Sequence, residues 1–149
     1  MLNPNFKDML SALNEAGAEY LVVGAYAMAA HGCPRSTGDI DFWVRTTPQN
    51  AQRVWQALIV FGAPTSQISP EDFSTPDVVF QIGIAPQRID ILTKISGVEF
   101  DEAWPNRLTA DLGGILANVI GRDELVQNKL ASGRPKDLLD ADILKSEVN

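Results

Sequence analysis

"HGCPRSTGDIDFWVR", residues 31–45, ends as a β-strand with two carboxylates inside it. Ile40, Phe42 and Val44 alternate with Asp39, Asp41 and Trp43. Successive strand side chains point to opposite faces, so Asp39 and Asp41 leave the same side, close together. Like charges so near repel, and aspartate is depleted from strands. Two explanations are open: an edge strand with both groups in water, or a site in which a bound cation takes up the charge.

Upstream, "EYLVVG" (19–24) is a short apolar run closed by Gly24, the mark of a buried strand. "AYAMAAHG" (25–32) follows as a short alanine-rich helix ending at Gly32. A strand–glycine–helix turn lets backbone amides and the helix dipole approach a phosphate, which makes Gly24 and Ala25 candidate contacts. Glycine at such a turn is also common for geometric reasons alone. Before it, "NPNFKDMLSALNEAG" (3–17) has Asn3 as N-cap, Pro4 at the first helical position and Gly17 as stop, with Phe6, Met9, Leu10 and Leu13 at helical spacing.

Downstream, Pro48 begins a helix whose Ala51, Val54, Trp55, Leu58 and Phe61 form one face. Residues 62–77, rich in Pro, Ser and Thr, read as an irregular excursion. "VVFQIGI" and "RIDILTKI" flank "APQ" as a hairpin, and "LTADL" and "ILANVI" flank Gly113-Gly114 as a second. Pro105 limits any helix over 100–108, and from 122 onward two helices meet near Gly133–Pro135. Without repeats or a linker, the 149 residues form a single domain, 1–149, with its own core. The expected class is α+β (α/β): a short mixed β-sheet with helices on one side and a helical C-terminus.

Composition excludes some functions. With 45% hydrophobic and 21% charged residues the chain is not disordered. It lacks an apolar run of the roughly 18–20 residues a membrane helix needs, and "MLNPNFKDML" is no secretory leader, so a cytoplasmic protein is expected. The lone Cys33 excludes an intrachain disulfide and a multi-cysteine metal site. A net charge of −7 disfavours unaided binding along a nucleic-acid backbone. A nucleotide or a nucleic-acid end remains compatible with it.

Two carboxylates on one strand face can share hard cations such as Mg²⁺ or Mn²⁺, and a third carboxylate would complete the site. Asp90 in "RIDIL" is the candidate: it also interrupts an apolar strand, with Arg88 on its face and Ile89 and Ile91 on the other. Three acidic groups on adjacent strands suit a two-metal site. The competing reading of Asp90 is an ion pair with Arg88 or Lys94.

These residues resemble the nucleotidyltransferase fold of the DNA polymerase β superfamily. Its signature is an apolar residue, Gly, then Gly or Ser, a spacer, and an Asp-x-Asp strand; here Val23-Gly24-Ala25 precedes Asp39-Ile40-Asp41 by thirteen residues, and Asp90 stands for the third carboxylate. Within that superfamily the chain is similar to the small AbiEii-type nucleotidyltransferase toxins through His31-Gly32, "RSTGDID" and "NKLASGRPKDLLD". The resemblance covers roughly 18–45, 86–93 and 122–145. It implies catalytic and metal-binding roles for Asp39, Asp41 and Asp90. It further implies nucleotide contacts from Gly24, Ala25, Arg35, Thr37 and Lys129, and transfer from an NTP to a hydroxyl of a small molecule, a protein or a tRNA end. A toxin–antitoxin setting would add a partner protein, and a homo-oligomer is also open. Ala25 departs from the signature by lacking a phosphate-binding hydroxyl.

The remaining candidates are plainer. "GRPKD" reads as a helix junction with Asp137 in the first turn, and His31 as a packed or capping residue. Cys33 reads as inert, and Trp43, Trp55 and Trp104 as core anchors, although Trp43 shares the aspartates' face. Two rivals to a transferase stand: a non-catalytic, antitoxin-like or partner-binding module that keeps the fold, and another metal-dependent phosphate enzyme such as a nuclease or phosphatase.

Overall fold

The structure, a computed structural model, describes residues 2–34 and 38–146. Its elements run α1 (Pro4–Glu15), β1 (Tyr20–Val23), α2 (Gly24–Ala30), β2 (Ile40–Val44), α3 (Pro48–Phe61), β3 (Val79–Ile82), β4 (Ile89–Leu92), α4 (Phe100–Ala103), β5 (Leu108–Leu112), β6 (Ile115–Val119), α5 (Arg122–Ser132) and α6 (Pro135–Ser146). The strands form one mixed sheet in the order β3-β4-β2-β1-β6-β5. The pairs β1–β2, β3–β4 and β5–β6 are antiparallel, whereas β2–β4 and β1–β6 are parallel. The two expected hairpins are thus the two ends of the sheet. This is an α+β architecture, and among the described residues no helix is long and apolar enough to cross a membrane.

Local signals set the helix ends. The Asn3 side chain accepts from the Asn5 amide at 2.7 Å ahead of Pro4, and Thr47 caps α3 by accepting from the Asn50 amide at 3.2 Å. These bonds satisfy N–H groups that a helix start leaves unpaired. The α3 face is buried through Ala51, Val54, Ala57 and Leu58; Trp55 and Phe61 sit at its margin, half-buried. Buried Asn50 also ties the sheet to α3, accepting from the Glu19 amide (2.7 Å) and donating to the Glu19 and Arg45 carbonyls (3.0 and 2.8 Å). Residues 62–77 are less irregular than expected. Ser69 and Asp72 form a reciprocal capping box on a short 3₁₀ turn, Pro70–Ser74, which buries Phe73.

Helices cover both faces of the sheet, not one. All four residues of β1 are buried, which requires cover on each side. On the first face Tyr20 donates to Asn14 of α1 at 2.7 Å and meets Phe42 edge-on at 5.7 Å. On the second, Trp43 packs edge-on against Phe100 of α4 at 5.0 Å. There α5 is pinned to the segment after β4: Gln127 and Asn128 donate to the Gly97 and Ser96 carbonyls at 2.7 and 3.0 Å. Gly97 permits the approach, because a Cβ there would stand 2.3 Å from the Ala131 Cβ. Arg122 then joins three elements by donating to the carbonyls of His31 (3.0 Å) and Leu144 (2.9 Å).

Candidate active site

The parallel pairing of β2 with β4 sets Asp41 directly beside Asp90. Paired residues on neighbouring strands share a face and lie about 5 Å apart. On the other flank Asp41 is in register with Val23, the last residue of β1, so Gly24 comes next to the carboxylate. Gly24 has φ +72°, and a Cβ on it would stand 2.4 Å from Asp41 Oδ2. The glycine therefore has a steric reason beyond phosphate approach: it makes room for Asp41 while turning the chain into α2. Asp39, one residue before β2, completes the group.

Arg88 lies among these carboxylates. It donates from Nε to Asp90 Oδ1 at 2.8 Å and from Nη2 to Asp90 Oδ2 at 3.2 Å. Its Nη2 is 3.4 Å from Asp39 Oδ2, and its backbone N–H donates to Asp39 Oδ1 at 2.9 Å. The charge of Arg88 does not cancel the crowding at Asp41. Burial first, then the charge of Asp90, a hydrogen bond shared with it, and the charge of Asp39, push the Asp41 carboxyl up to about 7, against a smaller opposing pull from Arg88. Asp41 thus holds a proton well into the range where an ordinary aspartate is ionised.

The facing wall comes from α5 and α6. Lys129 is buried, with Nζ 3.3 Å from Asp137 Oδ1 and 3.1 Å from Asp140 Oδ2. Arg134 Nε donates to Asp137 Oδ2 at 2.6 Å, and the Ser132 hydroxyl donates to the same oxygen. Burial pushes the Asp137 carboxyl up, but the bonds from Ser132 and Arg134 and the Lys129 charge more than reverse this, so it titrates below the ordinary range. Both walls enclose one cleft of about 440 Å³, lined on the sheet side by Gly24, Ala25, Asp39, Asp41, Arg88 and Asp90, and on the helix side by Lys129, Arg134, Lys136 and Asp137. That volume lies within the about 300–1,000 Å³ usual for small-molecule sites.

Most of the residues singled out in the sequence meet here. Gly24, Ala25, Asp39, Asp41, Asp90 and Lys129 all line the cleft. Arg35 and Thr37 lie outside the described residues. Lys129 differs from a mobile phosphate-binding lysine in that two carboxylates of α6 already engage its charge. Asp137 sits in the first turn of α6 as expected, yet it also faces the cleft with Arg134 and Lys136. The ion pair of Arg88 with Asp90, the competing reading of Asp90 from the sequence, is present; the further reach of Arg88 to Asp39 and its place in the cleft beside both aspartates were not foreseen. Trp43 is buried against Phe100 and does not line the cleft. His31 donates from Nε2 to the Ile120 carbonyl at 2.7 Å, and buried Cys33 is a free thiol.

As donors, Asp39, Asp41 and Asp90 fit a hard divalent cation: they are oxygen ligands on one face, with excess negative charge. Among the described residues, however, no three His, Cys, Asp or Glu side chains are disposed as they would be around an ion. The guanidinium of Arg88 stands between Asp39 and Asp90 instead.

Solved structures share this architecture. A Thermotoga maritima protein proposed to be a nucleotidyltransferase (TM1012) superposes with TM-score 0.63 at 18% identity, over 100% of this chain and 96% of its own. The antibiotic-resistance factor ANT(2'')-Ia in solution gives TM-score 0.66 at 13% identity, over 97% and 83% of the two chains. Its crystal structure with adenylyl-2''-tobramycin gives 0.62 at 13% identity, over 97% and 87%. The chain has the nucleotidyltransferase fold. By sequence it matches no protein-family model and no curated protein.

Proposed function

We propose that the protein is a metal-dependent nucleotidyltransferase, which moves a nucleoside monophosphate from an NTP to a hydroxyl acceptor and releases pyrophosphate. One observation carries this reading: a carboxylate face with Asp41 and Asp90 in register confronts Arg134 and Lys136 across a single cleft. Carboxylates alone would repel a triphosphate, and cations alone would leave Asp39, Asp41 and Asp90 without purpose. Together they suit an anion that arrives with its counter-ions.

Asp39, Asp41 and Asp90 would hold Mg²⁺ or Mn²⁺, which when bound offsets negative charge on the phosphates and the attacking oxygen. Asp90 accepts the proton of the acceptor hydroxyl. The oxygen then forms a bond to the α-phosphorus in line as the bond to the β-phosphate oxygen breaks. Pyrophosphate departs toward Arg134 and Lys136. Gly24 and Ala25, at the uncapped start of α2, bring backbone amides to the triphosphate. The ANT(2'')-Ia complex joins an adenylyl group to tobramycin, which favours a small-molecule hydroxyl among the acceptors for this chain. The likeness to AbiEii-type toxins, carried by sequence motifs, favours a protein or tRNA acceptor and a toxin–antitoxin setting.

Arg88 favours a second reading, a partner-binding module that keeps the fold, since it already partly neutralises the carboxylates. Incubation of the protein with each α-labelled NTP, Mg²⁺ and a cell extract separates the two. A transferase yields labelled acceptor, and Asp90→Asn lowers the yield about 100-fold or more, the scale of a lost catalytic base. A phosphatase yields labelled nucleotide and orthophosphate, and a module yields neither.

A further inference from the structure

The carboxylate face carries a cation of its own. Arg88 grips Asp90 with two parallel bonds, 2.8 and 3.2 Å, and reaches Asp39 Oδ2 at 3.4 Å with the same Nη2. Such fork-on-carboxylate pairs are among the stronger ion pairs. The oxygens it occupies are those through which Asp39 and Asp90 would share an ion, and no three-ligand arrangement exists beside it among the described residues. The arginine is not locked in: its side chain keeps 29% exposure, as does that of Asp39, and both border the cleft. Its backbone N–H stays bonded to Asp39 Oδ1, so the arm can move while β4 stays in place.

We propose that Arg88 is a resident counter-ion that exchanges with the divalent cation. In the metal-free protein it holds Asp39 and Asp90. When a divalent ion takes their oxygens, the guanidinium is released into the cleft and binds a phosphate of the nucleotide. The second half of this inference rests on the nucleotidyltransferase reading; the first does not. Carboxylate and phosphate present similar oxygen pairs to the planar guanidinium, so one side chain can serve both. The arginine competes with an ion arriving alone and assists an ion arriving with nucleotide. Metal and nucleotide therefore bind with positive coupling, which is reciprocal.

The test compares wild type, Arg88→Met and Arg88→Lys as full chains, freed of metal by chelation and held at one ionic strength. Calorimetry measures Mn²⁺ binding without nucleotide, then binding of a non-hydrolysable NTP at saturating Mn²⁺. Losing a charge-assisted contact changes affinity about tenfold. Arg88→Met should accordingly bind Mn²⁺ alone about tenfold more tightly than wild type, and the NTP analogue about tenfold more weakly. Arg88→Lys, which keeps the charge without the fork, should fall between in both, and it carries the comparison if the Met variant does not fold. Arg88→Met that binds Mn²⁺ as wild type does, more weakly, or not at all overturns the exchange and makes Arg88 a scaffold for the carboxylates. Tighter Mn²⁺ binding with unchanged analogue affinity overturns the phosphate half. If no protein binds the analogue, the nucleotide reading fails, whereas tighter Mn²⁺ binding still establishes the exchange.

Discussion

Asp41→Asn should stabilise the metal-free protein at alkaline pH and have far less effect in acid. The Asp41 carboxyl is raised from 3.8 to about 7 in the fold, chiefly by burial and then by Asp90. Unfolded, it titrates near about 3.9. Between those values the native state binds the extra proton, so this group lowers stability as pH rises through the window, and the loss is complete above about 7. Three pH units correspond to at most ~4 kcal/mol. The carboxylate borders an open cleft, and solvent screening reduces this to ~1–2 kcal/mol. For a domain of this size that is roughly 3–6 °C in melting temperature. Asparagine cannot ionise and removes the penalty. Thermal melts of both proteins in chelator, at about pH 4 and about pH 8, read it directly. The variant's advantage should grow by ~1–2 kcal/mol between the two conditions. A difference between the proteins that stays constant within ~0.5 kcal/mol refutes the crowded-carboxylate account.

Gly24→Ala should lower stability by ~1–2 kcal/mol from the left-handed backbone alone, and more once Asp41 is displaced; a folded variant that melts as wild type would contradict the steric reading of the turn. Lys129→Met leaves Asp137 and Asp140 with one cation fewer, and urea unfolding should show a loss of ~3 kcal/mol, well beyond that of a surface lysine. Ala25→Ser, by supplying the missing hydroxyl, should tighten a non-hydrolysable NTP by ~1 kcal/mol in calorimetry with Mg²⁺. No gain in affinity from that change would count for the module reading.

The elements that build the carboxylate face were legible because local rules govern them. Alternation around Asp39 and Asp41, the paired apolar runs around "APQ", the cap at Asn3 and the start of α3 at Pro48 each depend on neighbours within a few residues. That Asp90 would join Asp41 was inferred from its break in an apolar strand, and the β2–β4 register places them side by side. What stayed hidden depends on contacts distant in the chain. Arg88 reaches Asp39 across 49 positions, and the segment at Ser96–Gly97 receives α5 from about thirty positions away. The second layer of helices followed from burial of both faces of β1, a property that four apolar residues suggest but do not prove. Lys129 was expected to reach a phosphate, and its engagement by Asp137 and Asp140 stayed hidden because those partners come from the next helix after a turn at Gly133.

The central claim is that the carboxylate face acts on the α-phosphate of an NTP. The most direct measurement is the ratio of pyrophosphate released to labelled nucleoside monophosphate transferred, for wild type and for folded Asp90→Asn with Mg²⁺. The account predicts equal amounts of the two products from wild type and loss of both together in Asp90→Asn. Release of orthophosphate without transfer, or an Asp90→Asn variant that matches wild type, would contradict it.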